Sequence, residues 1–350
     1  MKEKDNFNMK SAKIRIGIIG CGRAGMIHGR NMAFRVKGAG VTAVADMDPQ
    51  LRARAAEELG GVRPCAEAHE LLADADLDAV VIATPTAFHR ELAVMAAEVG
   101  KHILCEKPMA MSAEEGMAML EATRAHRVKL QIGFMRRYDQ GYIHAREQID
   151  SGLIGRVVQV KSLTHGPSTP LPWMYDLRKS NGPLAEVNSH DIDTLRWFTG
   201  SEFETVYAVG GNYRCPEARS TFPDFYDTVS LCARFESGMQ GVISGAQGVK
   251  YGYDARVEIL GTEGIIFIGS HKDGSVVSCT RDGARSPLVK SWTDLFAEAY
   301  LAEDQDFVRC ILEDCAPKAS GLDGLRAVEV VMAGNESIRS GKPVDLIKSK

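Results

Sequence analysis

Ile14-Arg15-Ile16-Gly17-Ile18-Ile19-Gly20-Cys21-Gly22-Arg23-Ala24-Gly25 decides the fold, together with Val41-Thr42-Ala43-Val44-Ala45-Asp46 downstream. The apolar start forms a strand buried on both faces. Gly20, Gly22 and Gly25 then supply G-x-G-x-x-G spacing at a strand-to-helix turn. The first glycine turns the chain sharply and the second admits a pyrophosphate. The third lets helix pack on strand, and the helix N-terminus faces the phosphate charge. A second apolar run ends at Asp46, 21 residues after Gly25. There an acid hydrogen-bonds an adenosine ribose. In a chain with 34 glycines the triplet alone is weak, and a Gly-rich turn in another α/β protein is the alternative. Strand, triplet, helix and acid in this order carry more weight. The Asp46 carboxylate accepts from ribose hydroxyls and repels a 2′-phosphate, so NAD is favoured over NADP. Arg52 and Arg54 are expected on the solvated face of the next helix.

A chain of 350 residues is expected to hold two domains. Its 45% hydrophobic and 25% charged content is that of a soluble globular protein. A net charge of −4 leaves no electrostatic footprint for nucleic acid or a membrane surface. No apolar run reaches the ~18 residues that span a bilayer. Residues 1–12 are polar, lack the apolar core of a secretory signal and read as a disordered tail. Eight cysteines are scattered without C-x-x-C or zinc-type Cys/His spacing, so no metal is expected. Free thiols in a reducing cytoplasm are the simplest reading.

Helix and strand signals alternate through the first 130 residues. Helices are expected at 26–36, 51–59 and 87–99, and strands at 79–83, 102–105 and 128–134; Ser112 with Glu115 marks another helix start. Such alternation predicts βαβ units and a parallel sheet. After Tyr138 come a helix at 140–151 and six strand-like runs between residues 157 and 268, separated by Gly, Pro, Asn and Ser. Helices follow at 294–311 and 325–338. The predicted fold class is α/β. A Rossmann dinucleotide-binding domain spans 13–137, and 138–350 form an α/β domain with an open, mostly antiparallel sheet.

Three clusters carry candidate chemistry. Thr84-Pro85-Thr86-Ala87-Phe88-His89 follows a buried strand, where α/β sheets bind ligands; Thr84, Pro85 and His89 are expected to line the cofactor. Glu106-Lys107-Pro108 ends another strand, and Lys107 there can hydrogen-bond a substrate oxygen and lower an alcohol's pKa. Alone, a Lys before Pro is usually a solvated loop residue. The third cluster is a helix opening at Asn181-Gly182-Pro183, in which spacings of four and three put Glu186, His190 and Asp193 on one face. A histidine so flanked suits proton removal at neutral pH, though a structural histidine paired with surface acids has the same pattern.

In this order, Gly20–Gly25, Glu106-Lys107-Pro108 and His190-Asp191-Ile192-Asp193 resemble the glucose–fructose oxidoreductase/inositol dehydrogenase/rhizopine-catabolism (Gfo/Idh/MocA) superfamily, and within it the bacterial myo-inositol 2-dehydrogenases. Gly133-Phe134-Met135-Arg136-Arg137-Tyr138-Asp139 and Lys250-Tyr251-Gly252-Tyr253-Asp254 extend the likeness over residues 13 to 345. The resemblance implies an active site between the domains and a sheet that forms the face of a homodimer or tetramer. It implies cofactor contacts from Gly20, Cys21, Gly22, Arg23, Ala24, Gly25, Asp46, Thr84, Pro85, His89, Glu106 and Lys107. It makes Lys107, His190 and Glu186 catalytic, with Asp193 toward the substrate; Arg137, Tyr253 and Trp173 are further candidates for the substrate pocket. The family's Asp-x-x-x-His-x-x-Asp helix begins here with Glu186, one methylene longer, which puts inositol in question. Residues 167–179, with Trp173 and Tyr175, also differ and suggest stacking on a sugar ring or aglycone.

The expected activity is NAD-dependent oxidation of a secondary hydroxyl of a cyclic polyol or sugar. Inositol 2-dehydrogenase and glucoside 3-dehydrogenase both remain open, as does an NAD-binding sensor without turnover.

Overall fold

Six parallel strands form the first sheet of the computed structural model, which describes residues 13–270 and 272–346. The expected tail at 1–12 lies outside them. The elements are β1 (Ile14–Ile19), α1 (Arg23–Phe34), β2 (Ala39–Ala45), α2 (Pro49–Glu58), β3 (Arg63–Cys65), α3 (Ala68–Leu72), β4 (Ala79–Ile82), α4 (His89–Glu98), β5 (His102–Cys105), α5 (Ala113–Ala125) and β6 (Leu130–Ile132). Strand order is β3-β2-β1-β4-β5-β6. The order reverses between β1 and β4, so their carboxyl ends, Gly20 and Ala83, frame the ligand crevice of a doubly wound sheet. Every β4 residue is buried because helices cover both faces.

The chain continues through α6 (Gln140–Asp150), β7 (Val157–Gly166), α7 (Leu177–Ser180), α8 (Gly182–Glu186), α9 (Ser189–Thr199), β8 (Phe203–Gly211), β9 (Thr228–Phe235), β10 (Gln240–Gln247), β11 (Asp254–Gly261), β12 (Ile265–Ile268), β13 (Ser278–Thr280), β14 (Gly283–Arg285), α10 (Trp292–Leu295), α11 (Ala297–Leu312), α12 (Gly321–Ser340) and β15 (Val344–Asp345). The second sheet is ordered β12-β11-β7-β10-β9-β8-β15. Only β7 and β10 run parallel in it; the other neighbours are antiparallel. α9 packs on β7, and α12 on β8, covering one face. Tyr207, Val209, Leu260, Ile265 and Phe267 lie exposed on its strands.

Two helix expectations shift for local reasons. The run at 294–311 breaks at Phe296, whose φ of −110° and ψ of 18° separate α10 from α11. α12 starts earlier than 325, because Asp323 accepts from the Ser320 N–H and hydroxyl (both 2.7 Å) and caps the helix. The C-terminal helices return to the first sheet. α11 packs on α1, and the Ile132 N–H donates to Ala319 O at 3.0 Å beside β6.

Candidate active site

The glycine turn has the geometry its spacing predicts. Gly20 has φ +95°, and a Cβ there would lie 2.6 Å from the Ala83 carbonyl oxygen. A Cβ on Gly25 would lie 1.9 Å from Gly20 O, so only glycine lets α1 approach β1 this closely. A Cβ on Gly22 would meet nothing within 4 Å, and Gly22 is itself the exposed N-cap of α1. The space over the Cys21, Gly22 and Arg23 backbone therefore fits a pyrophosphate. A groove of about 460 Å³ opens there toward Leu51, Arg54 and Thr293. Ala24 is half-buried in the first turn of α1, and the Arg23 guanidinium sits over the Trp292 ring.

Asp46 stands at the end of β2, and its carboxylate accepts from the Cys21 N–H (2.7 Å) and the Asp48 N–H (2.8 Å). Those bonds hold the acid beside the glycine turn and half-exposed. Arg52 does not point away as expected: it donates to the Asp46 carbonyl at 2.6 Å, while Arg54 stays in solvent. Burial, with Asp46 beside it, pushes the Cys21 thiol up to about 12, so Cys21 offers its backbone rather than a thiolate.

Lys107 follows β5 and is half-buried. Its ammonium donates to Glu186 O at 2.8 Å, which leaves two of its three donors for a ligand. The Glu106 side chain, expected to line the cofactor, is buried. Its carboxylate turns inward, accepting the Lys107 N–H at 3.0 Å and meeting His28 Nε2 at 3.2 Å. The His89 side chain is turned inward too. It is buried, with Nδ1 on Pro108 O and Nε2 on Thr84 O (both 2.8 Å), and so ties together the loops after β4 and β5. Thr84 is half-buried and Pro85 exposed on the first of those loops.

The single helix expected from Asn181 is broken. Glu186 ends α8 and His190 is the second residue of α9, so they do not share one helical face. The break comes from Asn188, whose side chain donates to Asp191 Oδ2 at 2.7 Å. Its Oδ1 would lie only 1.9 Å from a Cβ on Gly245 of β10, so glycine there makes room for it. Asp193 does not flank His190 either. Both of its oxygens accept from Arg137, at 2.9 and 2.6 Å, and Arg137 also pairs with Asp323. Arg137 is thus a buried brace between the 135–138 turn, α9 and α12.

Electrostatics separate the remaining candidates. Burial, then the charges of Lys107 and Arg136, holds the His190 imidazole well below its usual pKa, and its Nδ1 is buried without a partner. It is neutral at pH 7 and able to accept a proton. Burial pushes the Glu186 carboxyl up to about 7 against the opposing pull of Lys107 and the Thr86 hydroxyl, 3.4 Å away. Lys107, Glu186 and His190 are therefore brought together.

Two of these neighbours escaped the sequence reading. Arg136 donates to Asp191 (2.8 Å) and Thr164 (2.6 Å) beneath His190. It follows Met135 in a single helical turn (Met135–Tyr138), where adjacent arginines point apart; nothing in the Arg-Arg pair says which faces the cleft. Thr86 was quoted within its cluster but given no role. Tyr253 is buried edge-on to Phe296, with the Arg136 guanidinium beside it. Trp173 is half-buried on the turn Pro172–Tyr175. Tyr175 is not free to stack on a sugar: its ring packs on Phe225 at 4.9 Å and its hydroxyl donates to Glu217 at 2.6 Å.

Residues 14–134 match the oxidoreductase family with an NAD-binding Rossmann fold (GFO/IDH/MocA), and residues 142–267 match the GFO/IDH/MocA C-terminal domain. The chain is 33% identical over 337 residues to scyllo-inositol 2-dehydrogenase (NAD(+)) of Bacillus subtilis, covering 95% of this chain and 96% of that one. It is 32% identical to myo-inositol 2-dehydrogenase of Thermotoga maritima, covering 95% and 98%. The crystal structure of scyllo-inositol dehydrogenase from Lactobacillus casei with NAD(H) and scyllo-inositol superposes with a TM-score of 0.87 at 29% identity, covering 95% and 99%.

Proposed function

We propose, since this chain belongs to the GFO/IDH/MocA family of NAD-dependent oxidoreductases, that it oxidises a ring hydroxyl of an inositol through Lys107 and His190. Residues 13–137 are the cofactor part of this reading and 138–350 the substrate part. NAD, when bound, supplies the hydride acceptor. The glycine turn and Asp46 would hold it.

One observation carries the reading. The Lys107 ammonium is anchored on the carbonyl of Glu186, and its charge lowers the pKa of His190. A neutral imidazole and an ammonium with spare donors then face the same small space. Lys107 donates to the substrate oxygen and stabilises negative charge as it develops there. His190 accepts the hydroxyl proton. Glu186, poised near neutrality, adds negative charge beside the Lys107 ammonium when it ionises. Arg136 is held off the substrate by Asp191 and Thr164, and keeps His190 deprotonated before reaction.

Inositol is favoured over a glycoside on two grounds. The relatives named above are scyllo- and myo-inositol dehydrogenases, and Tyr175 is committed to its own small core. A panel of myo-inositol, scyllo-inositol and alkyl glucosides with NAD, read by NADH absorbance, tests this. Turnover of glucosides alone defeats the inositol reading. Lys107→Ala and His190→Ala should each lower kcat by ~10²–10⁴; undiminished turnover in both removes their assigned roles. We further assign the exposed apolar face of the second sheet to association with other copies of the chain.

A further inference from the structure

His28 lies on α1, one turn beyond the glycine motif, and is completely buried. Both ring nitrogens meet carboxylates: Nδ1 lies 2.6 Å from Asp304 Oδ1 and Nε2 lies 3.2 Å from Glu106 Oε1. Carboxylates only accept when ionised, so the imidazolium, which donates from both nitrogens, is the form that satisfies this geometry. Asp304 Oδ2 in turn accepts from the Asn31 amide at 2.8 Å, and Glu106 Oε2 accepts the Lys107 N–H at 3.0 Å. The array thus runs Asn31–Asp304–His28–Glu106–Lys107. It joins the helix under the nucleotide turn, helix α11 and the loop that bears the proposed electrophile.

We propose that His28 is a positioning residue for Lys107: through Glu106 it sets the loop that presents the ammonium, and through Asp304 it locks that loop to α11. This rests on the proposed role of Lys107. His28 touches neither substrate nor cofactor. The groups facing it are Asp304, Glu106, the Tyr300 ring at 5.4 Å and the buried Glu303, whose carboxyl oxygens have no partner. Burial opposes its charge, yet Asp304 and then Glu106 hold its pKa well above the usual 6.5. Its two donated bonds therefore persist through neutral pH and are lost only as pH climbs through that raised value. Glu303 is held neutral by burial and does not compete for the imidazolium. Lys107 itself faces Glu106, Glu186 and His190.

The test uses the full chain with whichever of myo- or scyllo-inositol the unmodified enzyme oxidises. NADH affinity is read separately by fluorescence titration. In His28→Gln the side chain cannot donate from both ends. The expected result is a kcat lowered about ten- to hundredfold, since misplacing a reacting group by an ångström costs that much. The NADH dissociation constant should change by no more than about twofold. In Asp304→Asn the imidazolium loses its nearer carboxylate, so the alkaline fall in kcat should move to lower pH. Three results overturn the proposal: unchanged kcat in His28→Gln, an unmoved alkaline limb in Asp304→Asn, or NADH binding lost in step with kcat. Failure of both variants to fold also overturns it, because the array is then a staple of the fold alone. Lys107→Ala separates the two levels. If that variant keeps full turnover, the site reading falls and this inference with it. If it is inactive while both relay variants behave as the unmodified enzyme does, only the inference falls.

Discussion

Glu186 is the residue whose ionisation should be visible in the kinetics. Its carboxyl is pushed up to about 7 by burial, with Lys107 and Thr86 opposing. Rising pH creates an anion beside the Lys107 ammonium that receives the substrate oxygen. The kcat/KM for alcohol oxidation should therefore climb through about pH 7, and Glu186→Gln should remove that inflection and leave a lower plateau. The linkage has a definite sign. The folded state holds this proton more tightly than the unfolded chain, so the contribution to stability is present at acid pH and is lost as pH rises through about 7. Melting curves should accordingly show Glu186→Gln stabilising at pH 8 relative to pH 5; equal shifts at both pH values contradict the assignment. Lys107 and His190 could be picked out from sequence because each stands beside a local signal, a strand end and a Gly-Pro helix start. The pairing of Arg137 with Asp193 could not be read, because it spans 56 residues and nothing in either neighbourhood announces it. The inward turn of Glu106 and His89 could not be read either: a side chain at a strand's ligand edge can turn toward the cleft or beneath it, and partners remote in sequence decide which.

Among elements, the turn from β1 to α1 separates packing from binding within six residues. Gly25→Ala places a methyl 1.9 Å from Gly20 O. It should cost about 1–3 kcal/mol or more and lower the melting temperature by several degrees. Gly22→Ala meets no protein atom within 4 Å, so its melting temperature should hold while NADH affinity drops. Calorimetry and NADH titration on the same two variants check the pair, and equal behaviour contradicts the separation. The Arg137–Asp193 contact between the 135–138 turn and α9 is a brace of a different kind. Arg137→Met strands a buried carboxylate and should destabilise by about 3–5 kcal/mol, with the KM for polyol unchanged in the protein that remains folded. A rise in KM at unaltered melting temperature would restore Arg137 to the pocket. The glycine turn could be read from sequence because all its determinants lie between residues 14 and 46. The break between α8 and α9 could not, since the room for Asn188 is made by Gly245 on another strand.

For the whole molecule, the second sheet leaves Tyr207, Val209, Leu260, Ile265 and Phe267 in water on its strands. Apolar surface of this kind marks an interaction face. Phe267→Glu combined with Val209→Asp should shift the sedimentation coefficient toward a smaller species while leaving the monomer folded; no shift contradicts assembly through this face. Its alternation of exposed and buried residues could be read strand by strand, whereas the parallel pairing of β7 with β10, 81 residues apart at Gln159 and Gln240, could not. The return of the C-terminal helices to the first sheet has a consequence in time. His28 meets Asp304 across 276 positions, and the β6 side of the parallel sheet pairs with Ala319 and Ser320. A ribosome must therefore reach residue 320 before the nucleotide half can be finished. Until then a nascent chain carries an unpaired strand border and a histidine with only one of its two acids, which is when it most needs shelter from its neighbours.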